Sequence, residues 1–185
     1  MLQLLLSDEC VQIVFGSILR DGSLTLNKGY VNARFTFKHS LIQKDYFFWK
    51  VSKLKEISSG KCVFKQGDDL LGDGYGKSKL RYQSLALESL SQLYNLTVKG
   101  HKKHIRRQWL NSMNQLGLLV WWLDDGSLIA NSRKGVFCTD GGRSRIEDGP
   151  HRFSILYLQV EPMGLEVIEQ KRKIIESRAR IREFV

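Results

Sequence analysis

The stretch at residues 14–22 reads VFGSILRDG, and the stretch at residues 118–126 reads LLVWWLDDG. Both are apolar runs that end in Asp-Gly and continue with Ser-Leu. After Ser7-Asp8-Glu9, apolar residues recur at helical spacing, which predicts an amphipathic helix with a polar N-cap that ends at Asp-Gly. Residues 116–125 predict a second helix that is apolar on nearly every side and therefore fully buried. Two such helices with the same ending indicate a diverged internal repeat.

The segments after the first helix predict strands and two further helices. From Ala33 to Lys38 apolar residues alternate with polar and basic ones, which predicts a strand with one apolar face. Ser40 is expected to cap a second helix that runs to about residue 57. Residues 61–65 and 79–84 predict two strands joined by a glycine-rich hairpin, and residues 85–96 predict a third helix. The order is therefore αββαββα, ending near Gly100.

These patterns divide the chain into three segments. Residues 1–100 form the first repeat, residues 101–113 a basic linker, and residues 114–185 a second repeat. The second repeat is expected to be short or altered, because fewer residues follow its Asp-Gly than follow the first one. Its end, residues 165–185, predicts a charged surface helix.

The charge of the chain points to a polyanionic partner. Its 185 residues carry 29 Lys plus Arg against 19 Asp plus Glu, a formal charge of +10. The basic residues are spread over predicted strands and the linker rather than along one helix face, which favours nucleic acid over a membrane surface. The three cysteines are far apart and predict neither a disulfide framework nor a cysteine zinc site, so we expect an intracellular, reducing compartment.

The two nine-residue stretches resemble the paired signature motifs of LAGLIDADG homing endonucleases. The resemblance extends to NARFTFKHS at residues 32–40 and VFCTDG at residues 136–141, and it covers residues 7–141. It implies an α+β fold of pseudo-symmetric tandem αββαββα repeats, with saddle-shaped antiparallel sheets and two central packed helices. It also implies a monomeric, intron-encoded enzyme that cuts double-stranded DNA at a long site, with a chloroplast or mitochondrion as the habitual compartment.

Two other functions stay open at this stage. One is a catalytically degenerate relative or an intron-splicing maturase, which would bind nucleic acid, intron RNA included, without cutting it. The other is a basic structural or interaction protein in which the paired helices serve only packing. A single helix ending in Asp-Gly would favour the latter, since glycine commonly ends helices in the left-handed conformation.

Paired Asp-Gly helices have a chemical consequence. If the helices pack side by side, one carboxylate from each reaches the same place, where the two repel unless cations lie between them. Hard oxygen ligands suit Mg²⁺, which can activate water and stabilise the leaving oxygen of a phosphodiester. In the family the acidic residue before the final glycine is the metal ligand, so the resemblance implies that Asp21 and Asp125 are metal ligands and catalytic residues.

The neighbouring residues carry weaker expectations. Asp124 is expected to cap or to solvate the end of its helix, with direct metal ligation as the alternative. Arg20 stands where the family usually has a small residue, and it is expected either to reach a phosphate or to pair with an aspartate. The resemblance places Lys103 near the active site, with Lys102 as the alternative, where a cation could balance transition-state charge.

The family binds DNA by laying a sheet along the major groove, which displays a distinct pattern for each base pair. Strand alternation places polar side chains on one face of two strands. A turn lysine in the glycine-rich hairpin is expected to reach the DNA backbone. The candidate DNA-binding residues are therefore Arg34, Thr36, Lys38, Lys77, Lys79, Arg81 and Gln83. An ordinary solvated strand face is the alternative for each of them.

Overall fold

The computed structural model describes residues 6–67, 78–128 and 135–137. Lys77 and the charged helix expected at residues 165–185 lie outside these ranges. The first unit has the predicted order αββαββα. Its elements are α1 (Asp8–Ile18), β1 (Gly22–Thr25), β2 (Arg34–Ser40), α2 (Lys44–Lys53), β3 (Val63–Gln66), β4 (Lys79–Gln83) and α3 (Glu88–Thr97).

The four strands form one antiparallel sheet in the order β1-β2-β4-β3. The apolar side chains of β2 and β4 face the helices. Among them, Phe37 stacks on Tyr82 with ring centroids 5.0 Å apart. Phe47 of α2 lies 5.1 Å from the ring of Phe37 and closes this layer. The polar side chains of the strands lie on the other face of the sheet. Helix α2 and these polar side chains are therefore on opposite faces.

The second helix is shorter than predicted. A single 3-10 turn spans Leu41–Gln43 before α2, and another spans Lys55–Ile57 after it. Ser40 makes no side-chain cap, because Gln43 rather than Ser40 precedes the first residue of α2. The third helix begins at Glu88 rather than at residue 85.

The first helix has the predicted N-cap, since the Ser7 hydroxyl accepts from the amide of Cys10 at 3.2 Å. It ends at Ile18, so Asp21 lies in the turn between α1 and β1. Neither Asp-Gly glycine adopts the left-handed conformation that is common at helix ends. A Cβ on Gly22 would lie 2.9 Å from Phe35, and Gly126, at φ −68°, packs against the Trp122 indole too closely to admit one. Close packing, not backbone conformation, requires glycine at both positions.

The second unit begins as the first does, with α5 (Gln115–Asp125), β7 (Gly126–Leu128) and β8 (Gly135–Phe137). Asn114 caps α5 by accepting from the amides of Leu116 and Gly117. The expected complete burial of α5 is wrong for the described structure. Leu118, Leu119 and Trp121 are only half-buried, although one side of the helix packs on α1.

Helices α1 and α5 run parallel and in close contact. Near their beginnings, Gln12 donates to the Ser112 carbonyl at 3.0 Å and accepts from the Asn114 amide at 2.9 Å. Half-way along, a Cβ on Gly16 would lie 2.7 Å from the Cβ of Val120 and closer still to the Gly117 carbonyl oxygen. Glycine therefore lets the backbones approach, and the close approach brings the two C-terminal ends together.

The segment between the units is folded. A tight hairpin pairs β5 (Val98–Lys99) with β6 (Lys102–Lys103), and α4 (Arg107–Leu110) follows. Gly100 (φ 55°) and His101 (φ 61°) both adopt the left-handed conformation that two-residue hairpin turns favour. Trp109 of α4 is fully buried against Phe15, with ring centroids 5.4 Å apart. The basic segment thus packs on α1 and carries Lys103 towards the helix ends.

Candidate active site

The two helix ends form one cluster of charged side chains. Arg20 and Asp21 follow α1, while Asp124 and Asp125 end α5. The ammonium group of Lys103 interacts electrostatically with both Asp125 and Asp21. The structure therefore brings together Asp21, Asp125 and Lys103, although Asp21 lies more than eighty residues before the other two in the sequence.

Lys103 is fixed by the end of α1. Its Nζ donates to the carbonyl oxygens of Ile18 and Leu19, both at 2.9 Å. These carbonyls lie at the negative end of the helix, which favours a cation. Burial lowers the pKa of Lys103 and the Arg20 guanidinium lowers it further, while Asp125 and Asp21 act in the opposite direction. Lys102, the alternative in the sequence, is exposed on the hairpin.

Arg20 pairs with an aspartate, which is one of its two expected roles. Its Nε lies 3.2 Å from Oδ1 of Asp125, on the neighbouring helix end. The Arg20 side chain is 46% exposed and that of Asp125 is 12% exposed. The contact therefore lies at the mouth of the cluster, where solvent screens it and a competing anion or cation can reach it.

Asp124 neither caps the helix nor reaches solvent, so the expectation for this residue is wrong. Its side chain is fully buried, and the Lys50 ammonium donates to both carboxylate oxygens at 3.2 and 3.0 Å. The Tyr46 hydroxyl donates to Oδ1 at 2.8 Å. Burial raises the pKa of Tyr46 well above its ordinary value, and the charges of Asp124 and Asp21 add to this. Partners on α2 turn Asp124 inward.

His39 connects Asp124 with Asp21. Its Nδ1 lies 3.6 Å from Oδ2 of Asp21, and its Nε2 lies 3.8 Å from Oδ1 of Asp124 and 3.3 Å from the Lys50 ammonium. One ligand atom from each of Asp21, His39 and Asp124 lies within 4.8 Å of the other two, a spacing that could hold a metal ion. Lys50 already supplies a cation at Asp124, whereas the Asp21 side chain is 31% exposed and open to one.

The sequence contained unused signals for this cluster. His39 follows Ala33, Phe35 and Phe37 on the apolar phase of β2, so it had to face the core. Lys50 lies four residues after Tyr46 in an aromatic helix, and residues four apart share a helix face. Polar groups on buried faces need partners, which is the signal that would have joined His39, Tyr46 and Lys50 to an acidic residue.

The predicted polar face of the sheet is continuous. In the register of β2 and β4, Thr36 lies opposite Gln83 and Lys38 opposite Arg81, so their side chains share a face. Of the six candidate residues that the structure describes, Lys38 is exposed and the other five are half-buried. Further polar side chains on the same face were missed in the sequence because β1 and β3 are short. They are Ser23 and Thr25 of β1 and Gln66 of β3.

Comparison with known proteins assigns the chain to a family. Residues 11–147 match the model of the LAGLIDADG DNA endonuclease family, which includes both Asp-Gly motifs. The chain belongs to this family. The resemblance seen in the sequence is therefore confirmed, and the cluster at the ends of α1 and α5 is the paired-motif centre of a LAGLIDADG protein.

Individual relatives of this LAGLIDADG chain are larger proteins. A region of protein RecA from Mycobacterium gastri is 33% identical over 146 residues, which is 77% of this chain and 32% of that protein. Cytochrome b mRNA maturase bI2 from Saccharomyces cerevisiae is 24% identical over 136 residues, 70% of this chain and 32% of the maturase. The chain thus spans about a third of the length of these curated relatives.

A solved structure has the same fold. The homing endonuclease I-WcaI bound to its DNA recognition sequence superposes with a TM-score of 0.59 at 23% sequence identity. The match covers 72% of this chain and 60% of I-WcaI. The expected α+β fold with antiparallel sheets is confirmed. In the part of the chain that the structure describes, no helix has the length and apolar character needed to cross a bilayer.

Proposed function

We propose that this chain is a site-specific endonuclease that hydrolyses phosphodiester bonds in both strands of a long double-stranded DNA site. The observation that carries the proposal is the meeting of Asp21, Asp125 and Lys103 at the ends of α1 and α5, in a member of a DNA endonuclease family. These three residues are the proposed catalytic residues.

The helix ends fit a divalent metal ion of the Mg²⁺ type. Asp21 offers a carboxylate that is 31% exposed, and Asp125 offers a second one whose partner, Arg20, is itself 46% exposed. Asp21 and Asp125 would hold the ion, which supplies an activated water and charge stabilisation of the leaving oxygen when bound. Arg20 can turn away from Asp125 without disturbing the core, because its side chain lies at the surface.

Lys103 is held in place before any substrate arrives. Two carbonyl oxygens of α1 fix its ammonium group beside Asp21 and Asp125. A cation placed in advance loses little free energy through reorganisation, and it can balance negative charge that develops on a phosphate in the transition state. Lys103 would therefore act on the phosphate, while the two aspartates hold the metal.

The polar face of the sheet supplies a surface for DNA. Lys38 and Arg81 lie side by side on β2 and β4, and Thr36 and Gln83 extend the same face. An antiparallel sheet of this kind can lie in the major groove, where basic side chains contact phosphates and amide side chains read base edges. I-WcaI, which has the same fold, is bound to DNA in its solved structure, and this supports double-stranded DNA as the partner.

A second candidate is a protein that binds nucleic acid without cutting it. The ion pair between Arg20 and Asp125 favours this candidate, because it neutralises one of the two aspartates. The similarity to a yeast mRNA maturase adds intron RNA as a partner to be tested. Under this hypothesis the polar sheet face would bind nucleic acid while the helix ends stay inactive.

One experiment separates the two candidates. Duplexes bound by the protein in Ca²⁺ are selected from a randomised library and are then incubated with Mg²⁺. We expect cleavage of both strands that EDTA stops, and a loss of about 10³-fold or more for Asp21→Asn and Asp125→Asn with unchanged binding, since several kcal/mol of charge stabilisation would be removed. Specific binding without Mg²⁺-dependent cleavage would instead support the second candidate.

The DNA surface has its own test. Each phosphate contact contributes about −0.9 to the slope of log affinity against log salt concentration. We expect Lys38→Ala to weaken binding of selected duplexes and to reduce this slope by about one. Lys44→Ala is the matched control, because it removes the same charge from the exposed surface of α2, on the other side of the sheet. Equal effects of both substitutions would contradict the proposed surface.

A further inference from the structure

Four side chains from three elements form a buried polar cluster beside the helix ends. They are His39 of β2, Tyr46 and Lys50 of α2, and Asp124 of α5. The side chains of Lys50 and Asp124 are fully buried, and that of His39 is 1% exposed. This cluster joins the first unit to the helix of the second unit, and His39 brings it next to Asp21 of the proposed active site.

If stability were the only effect of this cluster, apolar side chains would join α2 and α5 with a smaller loss of free energy. Burying an ammonium and a carboxylate costs several kcal/mol each, and well-packed apolar side chains often replace such a pair without loss. The Lys50 ammonium has favourable surroundings, since it lies 4.4 Å from the centre of the Phe37 ring and 5.2 Å from that of Tyr46. Hydrogen bonds in a buried polar cluster fix the orientation of the side chains that make them, and apolar packing does this less well.

The orientation it specifies is that of the His39 ring. An ammonium group can only donate, so Nε2 of His39 accepts from Lys50, and the ring proton is then on Nδ1. The ring is held by contacts with Phe37 at 5.4 Å and Tyr46 at 5.2 Å between centroids. The Nδ1–H group thus faces Oδ2 of Asp21 at 3.6 Å from a fixed direction.

We propose that His39 is a positioning residue for Asp21, and that the buried Lys50–Asp124 pair holds His39 in the tautomer and orientation which that role needs. The Nδ1–H group would restrict rotation of the Asp21 carboxylate and so fix the direction in which its oxygens face a metal ion. The inference rests on the proposed function for its consequence in cleavage. Asp125 has a different neighbour, the exposed Arg20, so the proposal concerns the α1 end alone.

Groups that orient metal ligands from behind typically contribute 10- to 100-fold to metal affinity or activity. Two substitutions of His39 separate the contributions of its two ring nitrogens. In His39→Asn the amide lies where Nδ1 was and can still face Asp21, whereas in His39→Gln the amide lies where Nε2 was and faces Lys50 and Asp124. Both variants lose the ring, so packing is disturbed in each. Asn keeps the half that faces Asp21, and Gln keeps the half that faces Lys50 and Asp124.

The test measures Mn²⁺ affinity of each variant bound to selected DNA, by electron paramagnetic resonance, together with single-turnover cleavage and DNA affinity. We expect His39→Asn to remain within about fivefold of the unsubstituted protein in Mn²⁺ affinity, and His39→Gln to lose about tenfold or more. Cleavage should follow Mn²⁺ affinity while DNA affinity stays unchanged. Equal losses in the two variants, or losses that follow thermal stability, would overturn the proposal.

A third variant tests the proposal even if the first two variants do not fold. Lys50→Met with Asp124→Leu keeps His39 and replaces its buried partners by apolar side chains of similar volume. We expect lower Mn²⁺ affinity in this folded variant, and full affinity would contradict the role of the pair. The proposed function and the proposed role of His39 can be contradicted independently. If the unsubstituted protein cuts no selected DNA, the proposed function fails, whereas the order of Mn²⁺ affinities between Asn and Gln still decides the role of His39.

Discussion

The ends of α1 and α5 occupy matching places in two copies of one motif, yet one position in the motif has opposite charge in the two copies. The residue before the last aspartate is Arg20, just after α1, in the first copy and Asp124, at the end of α5, in the second. Arg20 lies at the surface and pairs with Asp125 of the other helix, whereas Asp124 is fully buried and pairs with Lys50 of α2. A repeated sequence motif has thus produced one helix end with an exposed ion pair and another with a buried one.

This difference shows that the two aspartates of the centre are not equivalent. Asp21 lies beside a buried histidine and is 31% exposed, while Asp125 lies beside an exposed guanidinium and is 12% exposed. The strength of a charge pair depends mainly on its access to water. The buried side should therefore determine the stability of the helix pair, and the exposed side should determine how readily cations reach the site.

The largest expected effect concerns the buried pair. Lys50→Met leaves the Asp124 carboxylate buried without its cation, and we expect a loss of about 3–5 kcal/mol in the free energy of unfolding. Urea unfolding at neutral pH measures it. Lys50→Met with Asp124→Leu should recover most of the loss, and Arg20→Met should cost less than about 1 kcal/mol because its ion pair is exposed. Equal costs for Lys50→Met and Arg20→Met would remove the distinction between the two ends.

A smaller effect is expected for Tyr46→Phe. This substitution removes only the hydroxyl that donates to Asp124 at 2.8 Å, and hydrogen bonds to charged groups contribute about 1.5–3 kcal/mol. The matched control is Ser23→Ala, which removes a hydroxyl that bonds Thr36 on the exposed face of the sheet and should change stability by about 0.5 kcal/mol or less. If both variants unfold at the same urea concentration, the hydroxyl of Tyr46 does not stabilise the buried end.

The smallest effect is expected at the exposed end. Arg20→Ala removes a cation that competes with metal for Asp125, and a screened ion pair contributes about 0.2–1 kcal/mol. Metal affinity should therefore rise by about 1.5- to fivefold, measured as Mn²⁺ binding to the protein–DNA complex. Lys44→Ala, which removes an equal charge from the exposed surface of α2, should leave affinity unchanged. A fall in affinity for Arg20→Ala would indicate that Arg20 supports the site rather than competing for it.

Local patterns in the sequence were sufficient for the order of elements and for the position of the centre. Helical and strand periodicities predicted αββαββα, and the paired motifs predicted that Asp21 and Asp125 lie near each other. The environment of Asp124 was not predictable in this way, because its partners lie on α2, 74 and 78 residues away in the chain. Only the fold decides whether a carboxylate at a helix end faces solvent or a buried lysine.

The same reason explains the other differences. The glycines after the aspartates are required by contacts with Phe35 and Trp122, which a helix-ending pattern does not contain. His39 was visible as a polar residue on an apolar strand face. Its partner Asp21 lies in the turn between α1 and β1, and the two side chains come close because β1 pairs with β2. Sequence patterns place residues on faces, whereas the contacts between faces come from the assembled sheet and helices.

We propose that Asp21 and Asp125 share a metal centre from which the buried lysine excludes Asp124. Anomalous diffraction from crystals of the protein–DNA complex grown with Mn²⁺ tests it most directly. We predict anomalous density within ligand distance of the Asp21 and Asp125 carboxylates and none against Asp124, whose oxygens remain bonded to Lys50. Density at Asp124 and His39 but not at Asp125, or no density at either helix end, would contradict it.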